Sequence, residues 1–212
     1  INTKNTQNEP IPTSIFLLHE GIKTQSLNIM NRHLFFQEIN RSLFRGKLND
    51  RQREGILHKL AAFDKFDVTD DRWRAYMLAT SYHETAHTMQ PIEEWGKGRG
   101  KSYGRKMKQC GQIYTWPDQI YYGRGDVQLT WFENYERIGE LMSLPLLEQP
   151  ELALVPDISA QILVEGMILG KSNRGDFTGR SLEDYLNHHR DDPFGARRIV
   201  NGLDNAHTIA GY

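Results

Sequence analysis

Apolar positions along this chain recur mostly at helical spacing and only rarely alternate as they would in a strand. From Asn49 to Phe66, Ile56, Leu57, Leu60, Ala61 and Phe63 fall near one face, and Asp50 is available as an N-cap. A second helix is expected over DDRWRAYMLATSYHETAH, residues 70–87, capped by Thr69 or Asp70. Within it Trp73, Met77, Thr80 and Glu84 follow one another at helical intervals. At 100° per residue, Glu84 lies within about 20° of Trp73 on the helical wheel. A carboxylate thus shares the apolar face close to the helix end.

Further along, Trp131–Met142 places Trp131, Tyr135, Ile138 and Met142 on one side, and Pro156–Leu169 is a strongly apolar helix stopped by Gly170. Ser181–His188 and Pro193–Val200 read as short helices, the latter with Asp192 as cap and Pro193 in the first turn. Residues 15–45 suggest one or two short helices, and 91–126 read as irregular, dense in glycine and aromatics. The pattern predicts a mainly α protein with a long loop-rich insertion between helices. Residues 1–14, polar with two prolines, read as a tail or linker, leaving 15–212 as one domain.

Composition narrows the class. A chain of 212 residues suffices for one large domain or two small lobes around a core. Hydrophobic residues at 38% and charged residues at 25% are ordinary for a globular protein. A net charge of −1 gives no global pull toward nucleic acid or membrane, and neither is expected as a partner. No apolar run approaches the roughly 18 residues needed to span a bilayer. The one cysteine, Cys110, cannot form an internal disulfide. The polar N-terminus carries no secretory pattern, since Ile15–Leu18 is too short for an h-region. The chain starts at Ile1, so the route to its place of action stays open.

Four constellations carry chemistry. The first joins Glu84 to Glu93 and Glu94. A carboxyl on an apolar face near a helix C-terminus is expected to hold its proton, because burial and the helix dipole both disfavour the anion. Such an acid can protonate a leaving oxygen, and glycoside cleavage needs it together with a second, ionised carboxylate. Glu93 and Glu94, just past Pro91, could supply the second; alternatively all three are structural or solvated charges. The second is His83-Glu84-Thr85-Ala86-His87, literally H-E-x-x-H, which on a helix could bind zinc with the glutamate as general base. Its third ligand could be Glu165, His188 or His189, none selected by spacing.

The third is Tyr121-Tyr122-Gly123-Arg124-Gly125-Asp126-Val127-Gln128-Leu129-Thr130-Trp131. Glycines let the backbone approach a ligand, aromatic faces suit sugar rings, and Gln128 and Thr130 offer hydrogen bonds. Thr130 with Glu133 also fits a capping box, which would make this a loop entering a helix. The fourth is the basic run from Lys97 to Lys108, either a solvated loop or a mobile cleft wall that attracts an anionic polymer.

Taken together, AYMLATSYHET (Ala75–Thr85), YYGRGDVQLTW (Tyr121–Trp131) followed by Asn134, and RRIVNG (Arg197–Gly202) resemble glycoside hydrolase family 19, the chitinases and related phage and bacterial cell-wall lysozymes. The Tyr-Tyr-Gly-Arg-Gly-x-x-Gln-Leu-Thr segment is the most specific, and the resemblance spans about Leu43 to Gly202. SLFRGKLNDRQREGI (Ser42–Ile56) resembles the leader of phage-type members. The resemblance implies a mainly α, two-lobed, lysozyme-like fold with the substrate cleft between lobes, and an inverting mechanism that needs no cofactor or metal. It implies Glu84 as general acid, Glu94 or else Glu93 as general base, and Thr130 as holder of the attacking water. Tyr122, Gln128, Asn134 and Asn201 match substrate-contacting positions, and Arg198 matches a basic residue supporting the carboxylates from behind. The chain departs from many members at Ala86-His87, where they carry Gly-Gly, and lacks the disulfides of plant-type members.

The expected function is therefore hydrolysis of a β-1,4-linked N-acetyl amino-sugar polymer by a monomeric enzyme. A compact domain, no disulfides and the phage-type leader favour bacterial peptidoglycan, as for an endolysin. Chitin is the alternative substrate, and a zinc peptidase or a non-catalytic glycan-binding module are the rival classes.

Overall fold

The computed structural model describes residues 31–168 and 177–212. The proposed tail at 1–14, most of the first predicted helical region, and Leu169 and Gly170 fall outside these residues. The chain divides into two compact units, 1–48 and 49–212. In the first, residues 31–42 are helical (α1), and the following turn is tied back by Leu48 N donating to Asn40 Oδ1.

The second unit is mainly helical, as the apolar spacing predicts. α2 (Asp50–Lys65) begins at the residue expected to cap it, and its N-cap lies one residue earlier: Asn49 accepts from Gln52 N, and the Gln52 side chain accepts from Asn49 N, a reciprocal capping box. α3 (Asp71–Glu84) is capped by Asp70, whose Oδ1 accepts from Arg72 N. α4 (Phe132–Met142) and α5 (Pro156–Met167) follow, α5 with proline in its first turn. α6 (Ala206–Ala210) closes the chain. The two short helices expected near residues 181–200 are 3-10 turns, Leu182–Asp184 and Gly195–Ile199. Asp192 supports the latter as expected, accepting from Gly195 N at 2.6 Å.

α5 is the hub, in contact with α2, α3 and α4. Its Ile162, Leu163, Val164 and Met167 are buried, as are Ile56 and Phe63 of α2, Met77 of α3, and Tyr135 and Ile138 of α4. Burying each such side chain contributes about 1.5–3 kcal/mol, so α5 needs no favourable cap to hold it in place. β1 (Ile92–Glu93) pairs antiparallel with β2 (Arg124–Gly125), with Ile92 opposite Gly125 and Glu93 opposite Arg124. This two-rung ladder brings the segment after α3 against the glycine-rich motif some thirty residues downstream. Among the described residues, no helix is long and apolar enough to cross a membrane.

Candidate functional site

Glu84 is the last residue of α3, on the apolar side that the spacing predicts: Met77 and Thr80 behind it are 0% and 1% exposed. The helix stops there because Thr85 turns inward. Its hydroxyl donates to Ser81 O at 2.7 Å and accepts from Met89 N at 3.0 Å, which folds the chain back toward β1. Glu84 is not alone on an apolar surface, however. Its Oε1 accepts from Arg197 Nη1 at 2.5 Å, and the Arg197 side chain is 3% exposed. Arg197 Nε in turn donates to Asp204 O at 2.9 Å, so the guanidinium is held from both ends. The Oε2 atom of Glu84 has no partner among the described residues.

Glu84 lines a cleft of about 470 Å³ together with Gln128, Thr130, Asn134, Arg198 and Asn201. Three of the residues expected to contact substrate, Gln128, Asn134 and Asn201, thus share one cavity with the expected acid, the expected water-holder Thr130 and Arg198. Gln128, at a positive φ of 52°, is fixed by its amide donating to Ile92 O at 3.0 Å. Asn134 Nδ2 donates to Thr130 O, and Asn201 Oδ1 accepts from Gly202 N. Thr130 is not a helix cap: its hydroxyl donates to Gln128 O at 2.7 Å, the α4 N-cap position is Trp131 at φ 78°, and Glu133 Oε1 accepts instead from Gln109 N. The capping-box alternative therefore fails, and the hydroxyl keeps its acceptor lone pairs.

Glu93 ends β1 and Glu94 follows it, and their carboxylates have separate partners. Glu94 Oε1 accepts from Tyr103 OH at 2.9 Å and Oε2 from Gly123 N at 3.0 Å. Tyr103 lines the same cleft as Glu84, so Glu94 is the glutamate tied to the cleft. Burial, then the bond to Glu94, pushes the Tyr103 phenol up to about 12, which keeps it a donor at neutral pH. Glu93 is tied elsewhere, to Lys97 Nζ at 2.9 Å and Tyr122 OH at 2.7 Å. Lys97 and then Tyr122 hold its carboxyl below the usual range.

Two expected residues move. Tyr122 is 8% exposed, covered by the Arg124 guanidinium 3.6 Å from its ring centroid, with its hydroxyl used by Glu93; it does not line the cleft. Arg198 does line the cleft, but the support from behind comes from its neighbour Arg197, because the 3-10 turn sends alternate side chains to different sides.

The sequence profile of the class I chitinases, glycoside hydrolase family 19, matches residues 58–163. The chain belongs to glycoside hydrolase family 19. Its relatives include an endochitinase (At2g43590) of Arabidopsis thaliana, 40% identical over 101 residues, 47% of this chain and 37% of that one. The basic endochitinase CHB4 of Brassica napus is also 40% identical over 101 residues, 47% and 36% of the two chains. An inactive chitinase-like protein 1 of Hevea brasiliensis is 27% identical over 111 residues, 47% and 35% of the two chains. The chain thus matches little more than a third of these relatives' lengths. A crystal structure of a bacterial family 19 chitinase shares the fold, with a TM-score of 0.51 and 22% identity over 74% of this chain and 84% of that one. The lysozyme-like helical fold expected from the sequence is thereby established.

Seen within family 19, the matched segment includes Glu84, Glu94 and Thr130, whereas Arg197, Arg198 and Asn201 lie beyond it. The Ala86-His87 departure has a structural meaning. Both residues have positive φ, 50° and 68°, the region that glycine enters without strain and where many members carry Gly-Gly. The same turn removes the zinc geometry. α3 ends at Glu84, so His83 and His87 are not one turn apart on a helix face; His87 instead stacks on Tyr82 with centroids 4.2 Å apart. Among the described residues, no group of three His, Cys, Asp or Glu could hold a metal ion. Tyr103, Gln109 and Arg197 were not singled out by sequence reasoning. Tyr103 is the one aromatic inside the basic run, a signal that charge alone obscured.

Proposed function

We propose that this chain is an inverting glycoside hydrolase acting on β-1,4-linked N-acetylglucosamine-containing polymers, with chitin as its substrate. The observation that carries the reading is one cleft served by two anchored carboxylates: Glu84, held through Oε1 by Arg197 with Oε2 unpartnered among the described residues, and Glu94, held through Tyr103. Glu84 Oε2 donates a proton to the glycosidic oxygen as the bond to the anomeric carbon breaks. Glu94 takes a proton from a water that attacks that carbon from the opposite ring face, with Thr130 accepting a hydrogen bond from the same water. Inversion calls for roughly 6.5–9.5 Å between the carboxyl groups, room for that water.

The naming of relatives as chitinases supports chitin over the peptidoglycan expected from the phage-type leader and the absence of disulfides. Both polymers contain the bond this chemistry breaks. Mass spectrometry of products from chitin oligomers and from peptidoglycan, run side by side, separates them, and NMR of the first product formed gives its anomer. Glu84→Gln should lower turnover by about 10²–10⁴-fold with the fold intact. Retained turnover in that variant, or a product that keeps the anomeric configuration, would sink the mechanism.

A further inference from the structure

The basic run between Glu94 and the glycine-rich motif does not fold as an open loop. Its backbone closes one i to i+3 turn after another: Lys97 N to Glu94 O, Arg99 N to Gly96 O, Lys101 N to Gly98 O, Arg105 N to Ser102 O and Lys106 N to Tyr103 O. Gly98 and Gly104 press together so closely that a Cβ on Gly104 would stand 1.9 Å from Gly98 O. The ribbon is anchored at Glu94 by Tyr103 and Gly123, and Tyr103 is itself a wall of the cleft.

What this ribbon displays is chemically one-sided. From Trp95 to Pro117 there are six lysines and arginines and not one aspartate or glutamate. Lys97 and Lys106 are paired with Glu93 and Asp118, and Lys108 lies over the Phe132 ring. Arg99, Lys101 and Arg105 are exposed, and their side chains have no ion pair or hydrogen bond among the described residues. At the first turn Trp95, next to Glu94, is 99% exposed. An aromatic face on a ribbon of one-signed cations suits a sugar ring that carries acid groups.

We infer that the ribbon from Trp95 to Arg105 is a binding surface for a carboxylate-bearing glycan strand entering the cleft from the Glu94 side, with Arg99, Lys101 and Arg105 meeting the carboxylates and Trp95 stacking on a pyranose face. This rests on the reading of the cleft as a glycan-cleaving site. It extends that reading from neutral chitin to acidic amino-sugar polymers such as peptidoglycan strands with free lactyl carboxylates.

The test uses the full chain carrying Glu84→Gln, so that binding is measured without turnover. The probes are peptidoglycan strands freed of stem peptides by an amidase, the same strands with carboxylates methyl-esterified, and a neutral chitin hexamer. Calorimetry at low and high salt should give affinity for the acidic strands that falls as salt rises, and none of that dependence for the ester or the hexamer. Adding Arg99→Gln, Lys101→Gln and Arg105→Gln together should weaken binding to acidic strands about tenfold and leave the hexamer unchanged. Trp95→Ala should weaken both. Equal affinity of the unesterified and esterified strands at low salt would overturn the proposal, and that comparison needs no variant to fold. Turnover of the chitin hexamer by the unaltered chain tests the hydrolase reading separately. Turnover without charge-dependent binding overturns the surface alone, and charge-dependent binding without turnover of either polymer overturns the hydrolase reading alone.

Discussion

Lys59 and Asp126 meet at 2.5 Å with their side chains 1% and 0% exposed. Lys59 sits on α2 and also donates to Met89 O at 2.9 Å, in the turn that follows Glu84. Asp126 sits beside β2, accepts from Ser81 Oγ on α3, and its backbone N–H donates to Ser159 Oγ on α5. Asp126 therefore ties both α2 and α3, the helix of the proposed acid, to the segment whose Gly123 anchors the proposed base. Burial pushes the Lys59 ammonium down, against the pull of Asp126. Removing one partner leaves the other charge uncompensated, so Lys59→Met should destabilise the chain by about 3–5 kcal/mol in denaturant unfolding. Lys59→Met with Asp126→Asn should lose less than the sum of the single changes, by about 1–3 kcal/mol. Strict additivity would show that the two groups do not act as a pair.

Arg197 and Arg198 are neighbours with different expected roles, and kinetics can tell them apart. Arg197 holds Glu84 Oε1 and is itself held by Asp204 O, so Arg197→Gln should misplace the acid and lower kcat about 100-fold, with KM changed only a few-fold. Arg197→Lys should recover part of the loss. Arg198 faces the cleft, so Arg198→Gln should act mainly on KM. If Arg198→Gln lowers kcat as much as Arg197→Gln does, the assignment of support to Arg197 is wrong.

These residues also mark where sequence reading succeeds. The face of α3 and the place of Glu84 on it follow from helical periodicity, which local backbone geometry dictates. The same holds for α4 and α5, whose apolar stripes leave few alternatives. The glycine-rich motif was legible as a site because Gln128, Thr130 and Asn134 lie close together in sequence. Contacts across long separations were not legible. Nothing near Glu84 announces Arg197, more than a hundred residues away, and a 3-10 turn rather than an α-helix decides which arginine turns inward. Tyr122 misled for the same reason: an aromatic in a motif can face substrate or core, and only the pairing of β1 with β2 sends this one to Glu93.

Ala86 provides a test of backbone strain next to the proposed acid. It is exposed, makes no side-chain contact that its methyl could lose at much cost, and has a φ of 50°. An L-residue in that region is disfavoured by about 1–2 kcal/mol, part of which glycine returns through greater freedom of the unfolded chain. Ala86→Gly should therefore stabilise the chain by about 0.5–1 kcal/mol, read as a higher denaturant midpoint at constant slope. A lower midpoint would show that the turn holds no strain that glycine can release.

Glu93 offers a pH test that separates it from Glu94. Lys97 and Tyr122 hold its folded-state value below the ordinary 4.5 of an unfolded chain. A carboxyl lowered on folding contributes stability that is fully present above the unfolded value and is lost as pH falls through the folded one. Glu93→Gln should therefore melt below the unaltered chain at pH 7, and the gap should close as pH drops below about 4.5. Turnover at neutral pH should fall far less than for Glu94→Gln, because Glu93 is tied to Tyr122 and Lys97, neither of which lines the cleft. A melting gap independent of pH would mean that the Lys97 and Tyr122 contacts do not hold the carboxylate in solution. Turnover abolished by Glu93→Gln and kept by Glu94→Gln would exchange the roles of the two glutamates.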